Sequence, residues 1–383
     1  MIAKVALGAF VAVVMVVVGV GSYLYLGTRQ SRIAEPPHVP TAAQPSPSAF
    51  RLPGTLVLEQ GGALFTLSAG RFHQLTPSAG WMQPAFLPDG NLVAVKRSFA
   101  YSDVWEISRL GKPLKQLTNN AAPRRSYTIG DNHWAFFPRV SVDGKSIFLS
   151  YDNPKFGYEV DLSIWSMPIG GPLRAGHVWT DEYAEPGYTG GDLQPVPVPG
   201  GVVFTRYDRN PDGSIFSQVW YTNRAGSFGK ALTTPGEDCR EPSFSPNFGY
   251  IAMICTYNEQ VSNLVIAPYA KGAIGKRQTL ISNQMVAQPT WAPDGTGIAY
   301  LAPAIVAEPF QLWFVPATQF FPPKPSPTPI PSPGSSGSRA ASPSPSGSAS
   351  PSPQPTPPPI VIKPIQITQY DGFDATSPLA WTA

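Results

Sequence analysis

Two stretches of the sequence hold most of the side chains that could do chemistry. The first, Asn119–His133, is basic and the second, Asp181–Asp192, is acidic. Carboxylates brought together from such loops could act as a general acid and base, with Asp131 as a further candidate. The same loops could instead bind a partner, or be solvated without a role, and no spacing decides among these. The candidate residues are Arg124, Arg125, Tyr127, His133, Asp181, Glu182, Glu185 and Asp192.

Common catalytic and metal-binding motifs are missing from the sequence. It has no G-x-S-x-G, G-x-x-x-x-G-K or G-x-G-x-x-G, and its four histidines lack the H-E-x-x-H spacing. Asp208–Asp212 followed by Gly213 matches the opening of a calcium loop, but position twelve is Val219 instead of glutamate. We therefore expect no metal, no cofactor and no enzymatic activity. A lyase or hydrolase of envelope polysaccharide that uses carboxylates remains the alternative.

A repeated hairpin must position these loops. Its clearest copy is Gln288–Tyr300 (QPTWAPDGTGIAY), two short strands joined by a Pro-Asp-Gly turn whose glycine supplies positive φ. We expect the turn aspartates Asp89, Asp143 and Asp294 to stabilise the turns and not to form a site. Each copy is followed by a variant of a "QLT" strand, such as Lys115–Thr118. Weaker copies begin at Gln83, Phe137, Gln194, Glu241 and Ser377.

Units of about 45–55 residues with four strands each predict a six-bladed β-propeller. The Pro-Asp-Gly turn with its trailing "LT" strand resembles the TolB-like six-bladed propellers, over Leu52–Phe321 and Ile360–Ala383. This resemblance implies an all-β fold and says little about function. Up-and-down strand order would place the connections between units on one face, which is the predicted binding face. Because the first unit lacks an inner strand, we expect Ser377–Ala383 to close the first blade.

The two cysteines are nearly symmetric about the turn Pro246–Gly249. Cys239 and Cys255 should therefore face each other across two strands, at a separation that a disulfide accepts. Such a bond implies an oxidising compartment.

The chain divides by composition into five parts. After a short tail (1–4), residues 5–26 are uncharged and valine-rich, long enough for a transmembrane anchor. A proline-rich spacer (27–51) precedes the propeller (52–321 and 360–383), and a proline- and serine-rich insertion (322–359), expected to be disordered, interrupts one blade. Whether the anchor is cleaved stays open, and the flanking charges do not decide its orientation.

The net charge of +3 is too small and too scattered to indicate a nucleic-acid partner. We expect a single-pass protein of the cell membrane, with the propeller outside the cytoplasm. The propeller would act as a scaffold that binds a protein or a glycan in the cell envelope.

Overall fold

The computed structural model describes residues 51–123, 128–153, 161–180, 189–257, 261–321, 361–369 and 371–383. The tail, the anchor at 5–26, the spacer before Arg51 and the insertion at 322–359 lie outside these described residues. Within the described part, no helix is long and apolar enough to cross a membrane.

The described strands form six antiparallel sheets, the blades of a β-propeller. Blade 1 begins with β1 (Thr55–Gln60), β2 (Ala63–Ser68) and β3 (Arg71–Gln74). Blade 2 contains β4 (Trp81–Phe86), β5 (Leu92–Arg97), β6 (Ser102–Ile107) and β7 (Pro113–Gln116). Blade 3 contains β8 (Ala135–Val140), β9 (Ser146–Tyr151), β10 (Ser163–Pro168) and β11 (His177–Val178).

The second half of the ring repeats this order. Blade 4 contains β12 (Asp192–Val198), β13 (Gly201–Arg209), β14 (Ile215–Thr222) and β15 (Lys230–Ala231). Blade 5 contains β16 (Cys239–Phe244), β17 (Tyr250–Cys255), β18 (Asn263–Ala270), β19 (Ala273–Ile274) and β20 (Gln278–Ile281). Blade 6 contains β21 (Ala287–Trp291), β22 (Gly297–Pro303), β23 (Phe310–Pro316) and β24 (Ile365–Gln366), and β25 (Ala380–Thr382) follows. Four single 3-10 turns are Ile129–Asp131, Leu173–Ala175, Pro235–Glu237 and Ala317–Gln319.

The predicted six-bladed propeller is confirmed. Its burial follows the strand order: every residue of β22 is buried, whereas every residue of β7 at the rim is exposed. The second strands are continuous apolar runs because a blade packs against both of its neighbours. Six hydrophobic clusters of described residues each join two adjacent blades, so the core is divided among the six interfaces between blades.

Antiparallel order defines two faces of the ring. The turns of the first hairpins and the connections from third to fourth strands lie at one end of the sheets, which we call the turn face. The turns from second to third strands and the connections between blades lie at the other end, the connection face. Phe321 and Val361, which flank the insertion, are therefore at the turn face. The described parts of the connection between blades 2 and 3, residues 119–123 and 128–133, are at the connection face.

The trailing threonine of the "QLT" repeat has a definite structural role. In five blades its hydroxyl accepts a hydrogen bond from a backbone N–H of the third strand, which ties the outermost strand to the sheet. The five threonines are Thr76, Thr118, Thr180, Thr233 and Thr368, each at 2.9 Å. The turn aspartates also act as expected, since the carboxylates of Asp89, Asp143 and Asp294 accept backbone N–H groups two residues on.

The ring closes between the two ends of the propeller. Strand β25 pairs with β1 in the register Thr55↔Thr382, Leu56↔Trp381 and Val57↔Ala380, so the last strand completes blade 1. Trp381 packs edge-on against Phe314 of blade 6 at 6.2 Å, and its Nε1 donates to the Pro53 carbonyl at 2.7 Å. A side chain at Gly54 would collide with the Thr382 carbonyl, which explains the glycine where the chain ends meet.

Cys239 and Cys255 are directly opposed on β16 and β17 and form a disulfide. Both are fully buried between blades 4 and 5. The bond therefore joins the innermost strand of blade 5 to the strand beside it.

Deleting Phe373–Ala383 should destabilise the propeller, because it exposes the edge of β1 and removes Phe373, Leu379 and Trp381 from the cluster between blades 6 and 1. We expect a loss of several kcal/mol, seen as a fall in Tm on the order of 10 °C. Deleting Ala383 alone is the control. Cooperative melting of the longer truncation at the parental Tm in calorimetry would contradict the closure.

Replacing residues 322–359 by a short Gly/Ser turn should leave Tm unchanged or slightly higher. The ends of the insertion are already held together, since Gln319 Oε1 accepts the Lys363 N–H at 2.6 Å and Gln319 Nε2 donates to the Lys363 carbonyl at 2.9 Å. Shortening a flexible loop changes closure entropy by only about 0.6 kcal/mol per halving. A large fall in Tm would show that the insertion packs on the blades.

Candidate functional site

Five of the six inner strands contain a β-bulge at a residue that precedes proline. The register shifts there, and the bulged residue has a left-handed backbone, which is costly for any residue with a Cβ. Such strain persists only where tertiary contacts hold it. The residues are Gln83 (φ 53°), Phe137 (54°), Gln194 (56°), Glu241 (57°) and Gln288 (52°).

Side chains from the preceding blade hold these bulges around the channel. In four places, a side-chain oxygen accepts the N–H of the bulged residue of the next blade. In blade 1 the acceptor is the hydroxyl of Ser377, so Ser377-Pro378 takes the place of the bulge pair. The bonds are Gln83 N to Ser377 Oγ (2.7 Å), Phe137 N to Gln83 Oε1 (2.7 Å), Glu241 N to Gln194 Oε1 (3.2 Å) and Gln288 N to Glu241 Oε2 (2.6 Å).

A cavity of about 250 Å³ lies in the channel, between the bulges and the turn face. Its wall comes from the inner strands of blades 3, 4, 5, 6 and 1. It combines polar groups with an aromatic side, so it can both orient and desolvate a ligand. Its polar lining includes Arg139, Gln194, Glu241 and Thr290, and its aromatic lining includes Phe244, Phe248 and Trp291.

Arg139 is the positive charge of this cavity. Its Nη1 donates to the carbonyls of Pro84 (3.1 Å) and Pro138 (3.3 Å), and it forms no ion pair with a carboxylate among the described residues. Burial lowers the pKa of Arg139 to about 10, so the guanidinium remains protonated at neutral pH. It therefore keeps N–H donors for an anionic ligand.

Glu241 is the carboxylate of the cavity, and its surroundings limit its charge. Its Oε2 accepts the Gln288 N–H, and its Oε1 is 3.8 Å from Arg240 Nε. Burial raises the pKa of Glu241, while Arg240 and the hydrogen bond from Gln288 oppose that rise.

Most of the residues named from the loop sequences lie outside the described residues: Arg124, Arg125, Tyr127, Asp181, Glu182 and Glu185. Asp131 is exposed and accepts the Thr128 N–H at 3.1 Å. Asp192 is 2% exposed and forms a bidentate ion pair with Arg206, at 2.6 and 2.7 Å, so its carboxylate is not presented to solvent. Neither His133 nor Asp192 lines the channel cavity. The calcium-like sequence forms a turn in which Asp212 accepts the Ser214 N–H at 2.9 Å.

A second cavity, of about 670 Å³, lies between blades 2 and 3, beside the connection that ends at His133. We call it the inter-blade groove; its central side chains are Asn119, Asn120, Tyr151, Asn153 and Trp165. His133 Nδ1 is hydrogen-bonded to Asp152 Oδ1 at 2.9 Å, and the His133 ring stacks on Tyr151 at 5.5 Å. His133 thus packs against Tyr151 and is not itself part of the groove lining.

Two carboxyl groups meet where the ring closes. Glu59, near the end of β1, is 4% exposed, its side chain accepts the Gly62 N–H at 2.6 Å, and its backbone carbonyl accepts the N–H of Asp374 in the closing segment at 3.1 Å. Burial, followed by the nearby carboxyl group of Asp374, raises the pKa of Glu59 to about 8. This pair lines neither cavity.

The repeated hairpin carries a sequence signal for the channel site. Every copy of the hairpin begins with a residue followed by proline, and five of these six positions form the ring of bulges. Arg139 lies two residues after one of them. Glu59 and Asp374 are more than 300 residues apart, and no local pattern could have paired them.

The fold and the central channel define the chain as a six-bladed β-propeller. Among solved structures it is similar to TolB from Acinetobacter baumannii, with 16% identity and a TM-score of 0.51, over 70% of this chain and 62% of that one. The chain thus spans less than two thirds of that protein. The architecture is that of a TolB-like propeller, and at this identity the likeness establishes the fold alone.

Two further structures are similar at lower scores. One is a TolB protein from Agrobacterium tumefaciens, with 14% identity and a TM-score of 0.46, over 70% of this chain and 86% of that one. The other is a puromycin-hydrolyzing peptidase from Mycobacterium tuberculosis, with 13% identity and a TM-score of 0.44, over 69% of this chain and 45% of that one. No protein-family model matches the chain, and no curated protein matches it.

The buried carboxyl group of Glu59 should make stability depend on pH. Because folding raises the pKa of Glu59 from 4.5 to about 8, its stabilising contribution is complete below pH 4.5 and is lost as the pH rises to 8. Glu59→Gln keeps an acceptor for Gly62 without a charge. Relative to the parent, this variant should gain on the order of 3 kcal/mol between pH 4.5 and pH 8 in denaturant titrations. Glu308→Gln, on an exposed loop, is the control. Parallel stability profiles for the parent and Glu59→Gln would rule out the raised pKa of Glu59.

Proposed function

We propose that the chain is a single-pass protein of the cell envelope, held by residues 5–26, and that its propeller binds a protein partner at the channel cavity outside the cytoplasm. The uncharged run supports the anchor, since its length suits a bilayer. The disulfide between Cys239 and Cys255 supports an oxidising compartment. The TolB-like propeller supplies a rigid scaffold.

The observation that carries the binding role is the Arg139 guanidinium in the channel cavity. A partly buried cation with N–H groups that have no acceptor among the described residues favours an anionic ligand group. The aromatic side of the cavity, Phe244, Phe248 and Trp291, suits an apolar side chain next to that group. A carboxylate beside an apolar residue is what an acidic peptide segment or a chain terminus offers. The partner would insert such a segment from the turn face.

The alternative is a carboxylate-based lyase or hydrolase of envelope polysaccharide. That chemistry needs a second carboxyl group within reach of the first. Among the described residues of the channel lining, Glu241 is the carboxylate present. We therefore favour binding over catalysis at this cavity.

A photo-crosslinking amino acid at Thr290, in the cavity, should capture a protein from cells that carry the full-length chain. The same amino acid at Leu114, which is 48% exposed on the rim of blade 2, should not capture that protein. Arg139→Gln should reduce the adduct at least tenfold, because a charge-assisted hydrogen bond contributes about 1.5–3 kcal/mol. Arg109→Gln, an exposed arginine outside the cavity, is the matched control.

If Arg139→Gln leaves the adduct yield unchanged, the guanidinium is not part of the binding site. Equal capture of the same protein from Leu114 and from Thr290 would contradict a channel site altogether.

A further inference from the structure

The inter-blade groove presents amide groups that the protein itself does not use. The side chains of Asn119, which is exposed, and Asn153, which is half-buried, have no hydrogen-bond partner among the described residues. Gln116 gives one N–H to Asp103 at 2.9 Å, and its carbonyl oxygen accepts no hydrogen bond from a described residue. Each amide group has both a donor and an acceptor. The groove therefore offers donors and acceptors from both of its blades to a ligand.

The aromatic wall of the groove is held rigidly. Tyr151 is 9% exposed, and one face of its ring is covered by His133. Its hydroxyl donates to Asn120 Oδ1 at 3.3 Å, and its ring meets Trp165 edge-on at 5.6 Å. Trp165 is half-buried, and its Nε1 donates to Ser163 Oγ at 3.2 Å, so both rings have fixed orientations before a ligand arrives. Little conformational entropy would be lost on binding.

We propose that this groove binds a saccharide. A sugar ring has an apolar C–H face that fits against an aromatic ring and a rim of hydroxyls that donate and accept at once, which matches amide side chains. Among the described residues of the lining there is no carboxylate, and the charged side chain is Arg174. These groups suit a neutral or an acidic sugar, and the volume is in the range of small-ligand sites.

Comparison with the other blades shows which residues of the groove are not part of the repeat. Tryptophan occupies the same third-strand position in blades 2, 3, 4 and 6, as Trp105, Trp165, Trp220 and Trp313. A tryptophan there is thus part of the repeat. On the second strand, the position of Tyr151 is held by Lys96, Arg206, Cys255 and Ala302 in other blades. The tyrosine, together with the unsatisfied amides, distinguishes the groove between blades 2 and 3. The proposal does not depend on the channel cavity, so either can fail without the other.

The test uses the full-length chain in detergent, applied to an array of neutral and acidic oligosaccharides that includes chitotriose and trigalacturonate. We expect binding to at least one of them. Saturation-transfer NMR and a titration would then measure the binding of that oligosaccharide. Asn119→Ala and Asn153→Ala should each weaken binding about fivefold to tenfold, as loss of one hydrogen bond predicts. Trp165→Phe should also weaken binding, whereas Trp313→Phe, the matched change in blade 6, should not.

Three outcomes would overturn the proposal. They are no binding to any oligosaccharide of the array, binding that the two asparagine variants leave unchanged, and equal weakening by Trp165→Phe and Trp313→Phe. Capture of a peptide from a random library that Asn119→Ala abolishes, without saccharide binding, would assign the groove to a protein partner instead. Melting curves of the variants, expected to match the parent for the exposed Asn119, separate loss of binding from loss of folding.

Discussion

The structure depends on one repeated interaction at the centre of the ring: five inner strands bulge at a residue before proline, and at four of these bulges a side chain from the preceding blade accepts the N–H of the bulged residue. Proline keeps the preceding residue out of the helical region, and the hydrogen bond offsets the cost of its positive φ. Because each acceptor belongs to the neighbouring blade, the bond fixes the spacing between blades as well as the strand. At Phe137, the side chain has no acceptor for the next blade, and this is the side of the channel where Arg139 lies.

The same interaction explains why closure and cavity are connected. Ser377 supplies the acceptor for Gln83, and the amide of Gln288 donates to the Ala375 carbonyl at 2.8 Å. The closing segment, residues 373–383, therefore contacts the ring of bulges through residues that precede β25 in the sequence. Pro378 and Leu379 of that segment also line the cavity, so a change that loosens the closure changes the cavity wall.

Much of the fold could be predicted because its signals are local and repeated. The turns, the trailing threonine strands and the opposed cysteines each depend on residues within one hairpin or one blade. The site was harder to predict because it depends on contacts between blades. The sequence predicts Asp192 to be a loop carboxylate, yet Arg206 on the neighbouring strand pairs with it. Nothing in the sequence distinguishes Arg139 from an ordinary strand residue, and only the ring geometry directs it to the channel.

The central claim is that a protein partner occupies the channel cavity from the turn face. Its most direct test is the rate of maleimide labelling of Thr290→Cys in membranes that retain native partners, compared with the purified full-length chain. Val306→Cys, at a position 92% exposed on a loop of the connection face, is the reference for access. Thr290→Cys should react at least tenfold more slowly in the membranes than in the purified chain, while Val306→Cys reacts equally in both. Equal rates for Thr290→Cys in the two preparations would contradict occupation of the channel.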